Sequence, residues 1–174
     1  GARMLEAVAV AIAVVLLAIS LAVLLIITAG FARFASRRDL ARLPVLLGLV
    51  AYGASTIGNL LAATVSGFLA PSLVEHEASK EALALMWPLN QAFAFEAAYA
   101  GAAAFALWGL DLSLRGPSMT DRLLGAAGLA AGIVPALMLA TGVLDLHVQG
   151  AAIIYGAQAA FAALVGFWLV GRRD

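Results

Sequence analysis

The sequence predicts an all-α integral membrane protein with five transmembrane helices in a single transmembrane domain, residues 1–174. Three observations support this class. Of the 174 residues, 64% are hydrophobic and only 11% are charged, whereas soluble domains have about 25% charged residues. The mean hydropathy is +1.04. The apolar residues also form segments of the ~20 residues that a membrane-spanning helix requires.

Five segments meet this length requirement, and each predicts one helix. They cover about residues 4–30, 43–70, 82–110, 121–143 and 148–171. The first is longer than the ~7–15-residue apolar region of a secretory signal. Because it has few polar residues, we expect it to lie at the periphery, outside a bundle of helices 2–5. Ser79 is placed to cap the third helix.

The distribution of basic residues predicts the orientation. Eight basic residues fall on one side of the predicted spans, and only Arg3 and Lys80 fall on the other. The eight are Arg33, Arg37, Arg38, Arg42, Arg115, Arg122, Arg172 and Arg173. Cytoplasmic loops are enriched in Lys and Arg. We therefore expect the N-terminus outside and the C-terminus in the cytoplasm, in a bacterial cytoplasmic (inner) membrane.

Two further patterns bear on packing. Trp87, Trp108 and Trp168 lie near predicted span ends, which is typical of aromatic belts at the membrane surfaces. Gly128 and Gly132 form a GxxxG pattern. Such a pattern either lets two helix backbones approach closely or arises by chance in a chain rich in alanine and glycine.

Polar residues of several predicted helices lie at one depth. At a rise of ~1.5 Å per residue, Asn59, Glu96 and Gln158 are ~24, ~21 and ~20 Å from the cytoplasmic ends of their spans. This depth predicts a mid-membrane polar cluster around Glu96. Its predicted members are Glu96, Asn59, Gln158, Tyr99, Tyr155, Tyr52 and Thr56, with Asn90 and Gln91 on another face of the third helix.

Glu96 is the residue from which a function is inferred. A charge at the bilayer centre costs at least ~2.5–3.5 kcal/mol, and the predicted spans contain no cation to pair with it. The carboxyl therefore either binds a proton or a ligand, or it only forms hydrogen bonds between helices, which contribute ~0.6 kcal/mol each. The first reading predicts a small transporter, channel or ligand-binding membrane protein that handles a proton, a cation or a small molecule. The second predicts a non-catalytic accessory or assembly subunit of a larger membrane complex.

A second alternative is an outer-face metal-binding membrane protein. His76, His147, Glu75, Glu77 and Asp145 fall on the predicted outer side, and imidazole and carboxylate groups suit several divalent metals. Their spacing matches no strong motif, and solvated loop residues are the competing interpretation. No other cofactor is predicted.

The remaining motifs argue against an enzyme and against nucleic-acid binding. The chain has no cysteine, no membrane histidine to activate a serine, and no phosphate loop or dinucleotide fingerprint. Its expected partners are the lipid bilayer and a second copy or a larger membrane complex. The loop from Arg33 to Arg42 is also expected either to bind anionic headgroups, at ~1 kcal/mol per basic residue, or only to set the topology.

Overall fold

The computed structural model describes residues 2–69, 72–73, 79–144 and 148–171, with the side chains of α1 described mainly from Ala22 onward. All regular elements in these ranges are helical, and the ranges contain no strand. The helices are α1 (Ala2–Ser36), α2 (Leu43–Thr64), α3 (Lys80–Arg115), α4 (Met119–Ala140) and α5 (Val148–Gly171). A π-helical turn, Val65–Leu69, extends α2.

Four of these helical stretches are long and apolar enough to cross a membrane. They are Leu43–Leu69, Lys80–Arg115, Met119–Ala140 and Gly150–Gly171. The described apolar part of α1, Ala22–Ser36, is shorter than a span. The all-helical class is therefore confirmed, together with four apolar helices of spanning length.

The helix boundaries follow from local capping. Ser79 accepts a hydrogen bond from the backbone nitrogen of Ala82 at 3.2 Å, as predicted for the start of α3. Ser118 and Asp121 form a capping box at the start of α4. Gly142 follows α4 with φ +70°, a conformation that glycine adopts without a steric penalty. This glycine ends α4 three residues before the predicted boundary.

α3 packs closely against α2 on one side and α4 on the other. A Cβ added at Gly58 of α2 would meet the Cβ of Ala97 at 3.0 Å, and one added at Gly109 of α3 would meet the nitrogen of Leu129 at 2.5 Å. A Cβ at Gly128 would lie 3.1 Å from the Cα of Gly109. The GxxxG pattern therefore marks a close backbone contact between α4 and α3, one of the two interpretations that the sequence left open.

The C-terminal turns of α1 belong to the core. Phe31 and Phe34 are 2% and 1% exposed, and the Phe31 ring lies 4.6 Å from that of Tyr52 and 5.0 Å from that of Trp108. The peripheral position was predicted for residues 4–30, and the residues of that range from Ala22 onward are exposed or half-buried. Phe31 and Phe34 follow it, in a stretch predicted as a loop, and their two rings complete an aromatic cluster. The cluster consists of Phe31, Phe34, Tyr52, Phe105, Trp108, Phe161 and Trp168.

Two of the three tryptophans predicted for an aromatic belt are buried inside the bundle. Trp87 is 61% exposed, but Trp108 and Trp168 are 1% and 8% exposed and lie in the interior. Each buried indole donates a hydrogen bond inside the bundle. Trp108 donates to the carbonyl of Val45 at 3.2 Å, and Trp168 donates to the carboxylate of Asp121 at 2.7 Å. An indole with an internal acceptor has no need of the membrane surface.

One end of the bundle collects most of the basic residues. At this end α1, α3 and α5 finish and α2 and α4 begin, as the contacts of Arg38 with Asp111 and of Asp121 with Trp168 require. We call it the arginine-rich end. Its described arginines are Arg33, Arg37, Arg38, Arg42, Arg115 and Arg122.

Candidate functional site

A cavity of about 160 Å³, mostly apolar but with six polar side chains in its lining, lies between α1, α2 and α5. The wall from α1 is apolar, and the walls from α2 and α5 carry hydroxyl and amide groups. The polar lining residues are Tyr52, Ser55, Thr56 and Asn59 of α2 with Tyr155 and Gln158 of α5. Five of these six were predicted as site residues, and Ser55 was missed.

The α2 side chains line the cavity because they lie three and four residues apart, on one helix face. Ser55 donates its hydroxyl hydrogen to the carbonyl of Ala97 at 2.7 Å, and Thr56 donates to the carbonyl of Tyr52 at 3.0 Å. Both hydroxyl hydrogens are thus used by backbone carbonyls. The hydroxyl oxygens retain lone pairs that can accept a hydrogen bond.

The α5 side chains join this face. Tyr155 donates to Oδ1 of Asn59 at 3.2 Å, which links α5 to α2 in mid-helix. Nε2 of Gln158 is buried and has no hydrogen-bond partner among the described residues. A Cβ at Gly101 would meet this nitrogen at 3.1 Å and Oγ of Ser55 at 3.0 Å, so the glycine leaves room for both groups.

The lining fixes the chemistry that the cavity can offer. Among the described residues, the lining contains apolar, hydroxyl and amide groups and no charged side chain. Its volume corresponds to about five water molecules at ~30 Å³ each. A buried donor without a partner is unfavourable by about 1–3 kcal/mol. The cavity is therefore suited to a small, uncharged molecule that forms hydrogen bonds with hydroxyl and amide groups.

Glu96 and Tyr99 do not join this cavity, so the prediction of a cluster centred on Glu96 is wrong. Both side chains are exposed, Tyr99 at 39%, and Glu96 has no hydrogen bond or ion pair within the described part of the chain. The buried face of α3 is instead the one that carries Ala97 and Gly101. Successive residues are ~100° apart around a helix, which turns Glu96 away from α2 and α5.

The other predicted site residues lie apart from the cavity. Asn90 and Gln91 are half-buried on α3 and do not line it, as expected for another face of that helix. Oδ1 of Asn90 is buried without a partner among the described residues.

The predicted metal ligands cannot be placed. His76, His147, Glu75, Glu77 and Asp145 all lie outside the described residues. Within the ranges that are described, no group of three or more His, Asp or Glu side chains is arranged to hold a metal ion.

Two buried carboxylates at the arginine-rich end were not predicted from the sequence. Asp111 is 4% and Asp121 is 0% exposed. Asp111 pairs with Arg38 at 2.7 Å, and Arg42 lies 3.6 Å from its other oxygen. Arg38 is thereby turned inward, away from the lipid headgroups that its loop was expected to bind. The available signal was an aspartate at a predicted span end facing an arginine-rich loop.

At the same end, Asp121 links the turn before α4, the first turn of α4 and the last turns of α5. Its Oδ2 accepts hydrogen bonds from the backbone nitrogen and the hydroxyl of Ser118, at 3.1 and 2.8 Å. Its Oδ1 accepts the indole hydrogen of Trp168 on α5. This carboxylate therefore fixes the start of α4 and the end of α5 to each other, and it has a structural role.

Two larger grooves between α4 and α5 offer little polar chemistry. Their volumes are about 510 and 390 Å³. The second is lined by apolar side chains such as Val134, Met138 and Leu164, and the first has only Ser118 and Thr120 as hydroxyl groups in an otherwise apolar wall. Surfaces of this kind suit acyl chains, so the smaller cavity is the better candidate for a specific ligand.

Comparison of the chain with protein-family models, with curated proteins and with solved structures gave no match. The class of protein is thus defined by its own residues: a helical bundle with four helices of membrane-spanning length and a cavity with six polar side chains between α1, α2 and α5.

Proposed function

We propose that the protein is a small transporter or ligand-binding membrane protein whose ligand is a small, uncharged, hydrogen-bonding molecule held between α2 and α5. The observation that carries this proposal is the set of hydroxyl and amide side chains in the cavity lining. One of them, Gln158, also has a buried Nε2 without a partner among the described residues. A ligand with a carbonyl or hydroxyl oxygen would complete this group. Asn59 on the facing wall of α2 and Tyr155 on α5, one turn from Gln158, would orient it.

The charge of the lining favours a neutral ligand over a cation or a proton. The carboxylate expected to take a cation, Glu96, is exposed on another face of α3. Hydrogen bonds from Tyr155 to Asn59 and from Ser55 to Ala97 leave the cavity with an amide donor and with oxygen acceptors. These are the groups that recognise an amide, an alcohol or a similar neutral polar molecule.

The proposal includes a membrane orientation and a fifth span. Arg33, Arg42, Arg115 and Arg122 all lie at the arginine-rich end, whereas Lys80 begins α3 at the other end. By the preference of cytoplasmic loops for basic residues, the arginine-rich end faces the cytoplasm of a bacterial inner membrane. α1, with 35 residues, would then be the first of five spans and leave the N-terminus outside.

The test compares two identical substitutions at different places. Gln158→Leu removes the unpaired donor, and the matched control Gln91→Leu removes a half-buried amide outside the cavity. Purified wild-type protein and both variants are screened for stabilisation by a panel of small neutral amides and alcohols. Native mass spectrometry on the same samples detects any molecule retained through purification.

We expect at least one compound to stabilise the wild type and the Gln91→Leu variant, with binding to Gln158→Leu weakened about tenfold or more, which is the effect of losing one hydrogen bond of ~1.4 kcal/mol. Transport is then measured in proteoliposomes with the compound identified. Equal binding to all three proteins would contradict the assignment of the cavity. So would a panel without any hit combined with an empty wild-type protein in the mass spectra.

The second candidate is a non-catalytic subunit of a larger membrane complex. It is supported by the exposed carboxyl of Glu96, which a partner would cover. Purification from native membranes distinguishes the two: a constant stoichiometric companion chain supports the subunit, and a stable assembly of this chain alone supports the ligand-binding protein.

A further inference from the structure

The outward face of α3 carries a polar pair in the middle of an apolar helix. Glu96 and Tyr99 are both exposed, and Ala92 and Ala103 continue the same exposed stripe at spacings of four residues. Residues three and four apart lie on one face of a helix. In a membrane this stripe would present a carboxyl and a phenol to hydrocarbon, where polar groups are strongly disfavoured.

The pair is self-complementary. A phenol hydroxyl both donates and accepts a hydrogen bond, and a carboxyl accepts when ionised and donates when protonated. Glu96 of one copy can therefore pair with the hydroxyl of Tyr99 in another copy, and the reverse pair forms at the same time. Such reciprocity is the defining property of a two-fold interface. All copies cross the membrane in one orientation, so the two-fold axis runs along the membrane normal and the two α3 helices are parallel.

The residues on either side of Glu96 and Tyr99 are small enough for two α3 helices to pack closely. Ala92 and Ala103 are small, and small residues at a membrane helix interface let two backbones come close. The same device brings α4 to α3 within one chain, through Gly109 and Gly128. The carboxyl and phenol indicate that a second copy covers this face, because the two groups can pair with each other and the predicted spans contain no Lys or Arg at mid-membrane depth that could pair with Glu96.

We infer that the protein forms a two-fold homodimer through the exposed face of α3, held by reciprocal hydrogen bonds between Glu96 of one copy and Tyr99 of the other. This inference depends on the membrane location of α3 and not on the ligand cavity. If the protein proves to be monomeric, the proposed ligand site is unaffected. If the cavity binds no ligand, the proposed dimer is unaffected.

Single-cysteine cross-linking tests the interface directly. The chain has no cysteine, so each variant carries one thiol. Ala92→Cys and Ala103→Cys place it on the proposed interface. Ile57→Cys is the matched control, because Ile57 is 60% exposed on α2 and adjoins Gly58, which packs against Ala97 at the depth of Glu96. The variants are oxidised in native membranes with a membrane-permeant oxidant.

We expect covalent dimers from at least one of the two α3 variants and none from Ile57→Cys. Equal cross-linking at Ile57 would overturn the interface, and so would the absence of dimers from both α3 variants. A disulfide from α3 to a different chain would also overturn it and would assign this face to another protein.

A dilution experiment tests the hydrogen bonds. Tyr99→Phe removes both reciprocal bonds while keeping the ring. Two bonds of the average strength found between membrane helices correspond to about a sevenfold rise in the dimer dissociation constant. Tyr155→Phe is the control, since it removes a phenol that bonds within the chain. An unchanged dissociation constant in Tyr99→Phe would refute the proposed pairing.

Discussion

Arg38 and Asp111 form a buried ion pair in which the guanidinium donates twice to one carboxylate oxygen. Nη2 lies 2.7 Å and Nε 3.2 Å from Oδ2 of Asp111, and the side chains are only 8% and 3% exposed. Because Arg38 belongs to the connection between α1 and α2, the pair fixes that connection to α3. Removal of the Asp111 carboxylate should therefore destabilise the fold.

Asp111→Ala should destabilise the protein by about 3–5 kcal/mol, because it leaves the buried guanidinium of Arg38 without compensation. Asp39→Ala is the control, since Asp39 is 56% exposed and 3.6 Å from Arg42, and exposed pairs contribute about 0–1 kcal/mol. Reversible denaturation in mixed micelles measures both. Similar losses in the two variants would argue against a special role for the buried pair.

Gly109→Ala should force α3 and α4 apart, because the new methyl would meet the backbone nitrogen of Leu129 at 2.5 Å. Overpacking of this kind typically costs about 1–3 kcal/mol. Gly53→Ala is the matched control on α2, where no atom lies within 4 Å of the added carbon, and alanine there should stabilise the helix by up to ~1 kcal/mol. The signs of the two changes in unfolding free energy should be opposite.

Trp168→Phe should lower the unfolding free energy by about 1.5–3 kcal/mol, the usual value of a hydrogen bond to a charged group. The substitution keeps an aromatic ring but removes the donor to Oδ1 of Asp121. Trp87→Phe, at a side chain that is 61% exposed, should change stability by less than ~0.5 kcal/mol. If both variants unfold like the wild type, Asp121 does not hold α5.

Glu96→Gln and Glu96→Ala should both fold with nearly wild-type stability when the protein is dispersed as a monomer. Glu96 is exposed, and such sites usually contribute less than ~0.5 kcal/mol. A carboxyl acting as glue inside the bundle would behave differently, because Glu96→Ala would then cost about 1–3 kcal/mol per group left unpaired. Thermal denaturation of the three proteins decides between these outcomes.

Gly101→Ala should displace two side chains of the cavity lining, because the added methyl would lie 3.0 Å from Oγ of Ser55 and 3.1 Å from Nε2 of Gln158. We expect weaker binding of any compound found in the screen, by about tenfold for a loss of ~1.4 kcal/mol. Gly156→Ala on α5, with no atom within 4 Å of the new carbon, should bind as the wild type does. Calorimetric titration of both variants provides the comparison.

The sequence predicts the positions of these helices well because hydropathy and length report directly on membrane-spanning segments. The fifth predicted segment, 148–171, coincides with α5. The third is predicted to end at residue 110, yet α3 continues to Arg115. The predicted span ends before Asp111 because an unpaired carboxylate would need water. In the structure Asp111 is paired with Arg38, so the helix can continue past it.

The face that each helix turns inward is harder to predict. In a soluble protein the polar side of a helix marks the solvent, but in a membrane both lipid and the bundle interior are apolar. Depth in the membrane therefore predicts that Glu96 lies with Asn59 and Gln158. In the structure Glu96 is on the exposed face of α3, whereas Asn59 and Gln158 line the cavity. Tyr155 and Asn59 were grouped correctly because their depth and their helix faces both agree with the observed hydrogen bond.

The ion pair between Arg38 and Asp111 also imposes an order on biosynthesis. The two residues are 73 positions apart, so at ~5–20 residues per second the ribosome adds Asp111 about 4–15 s after Arg38. During this interval Arg38 is an unpaired cation and can retain its loop in the cytoplasm, in the proposed orientation. Only when α3 has been made can the same guanidinium move into the interior. In the proposed orientation, one side chain would thus act first as a topology signal and later as half of a buried ion pair.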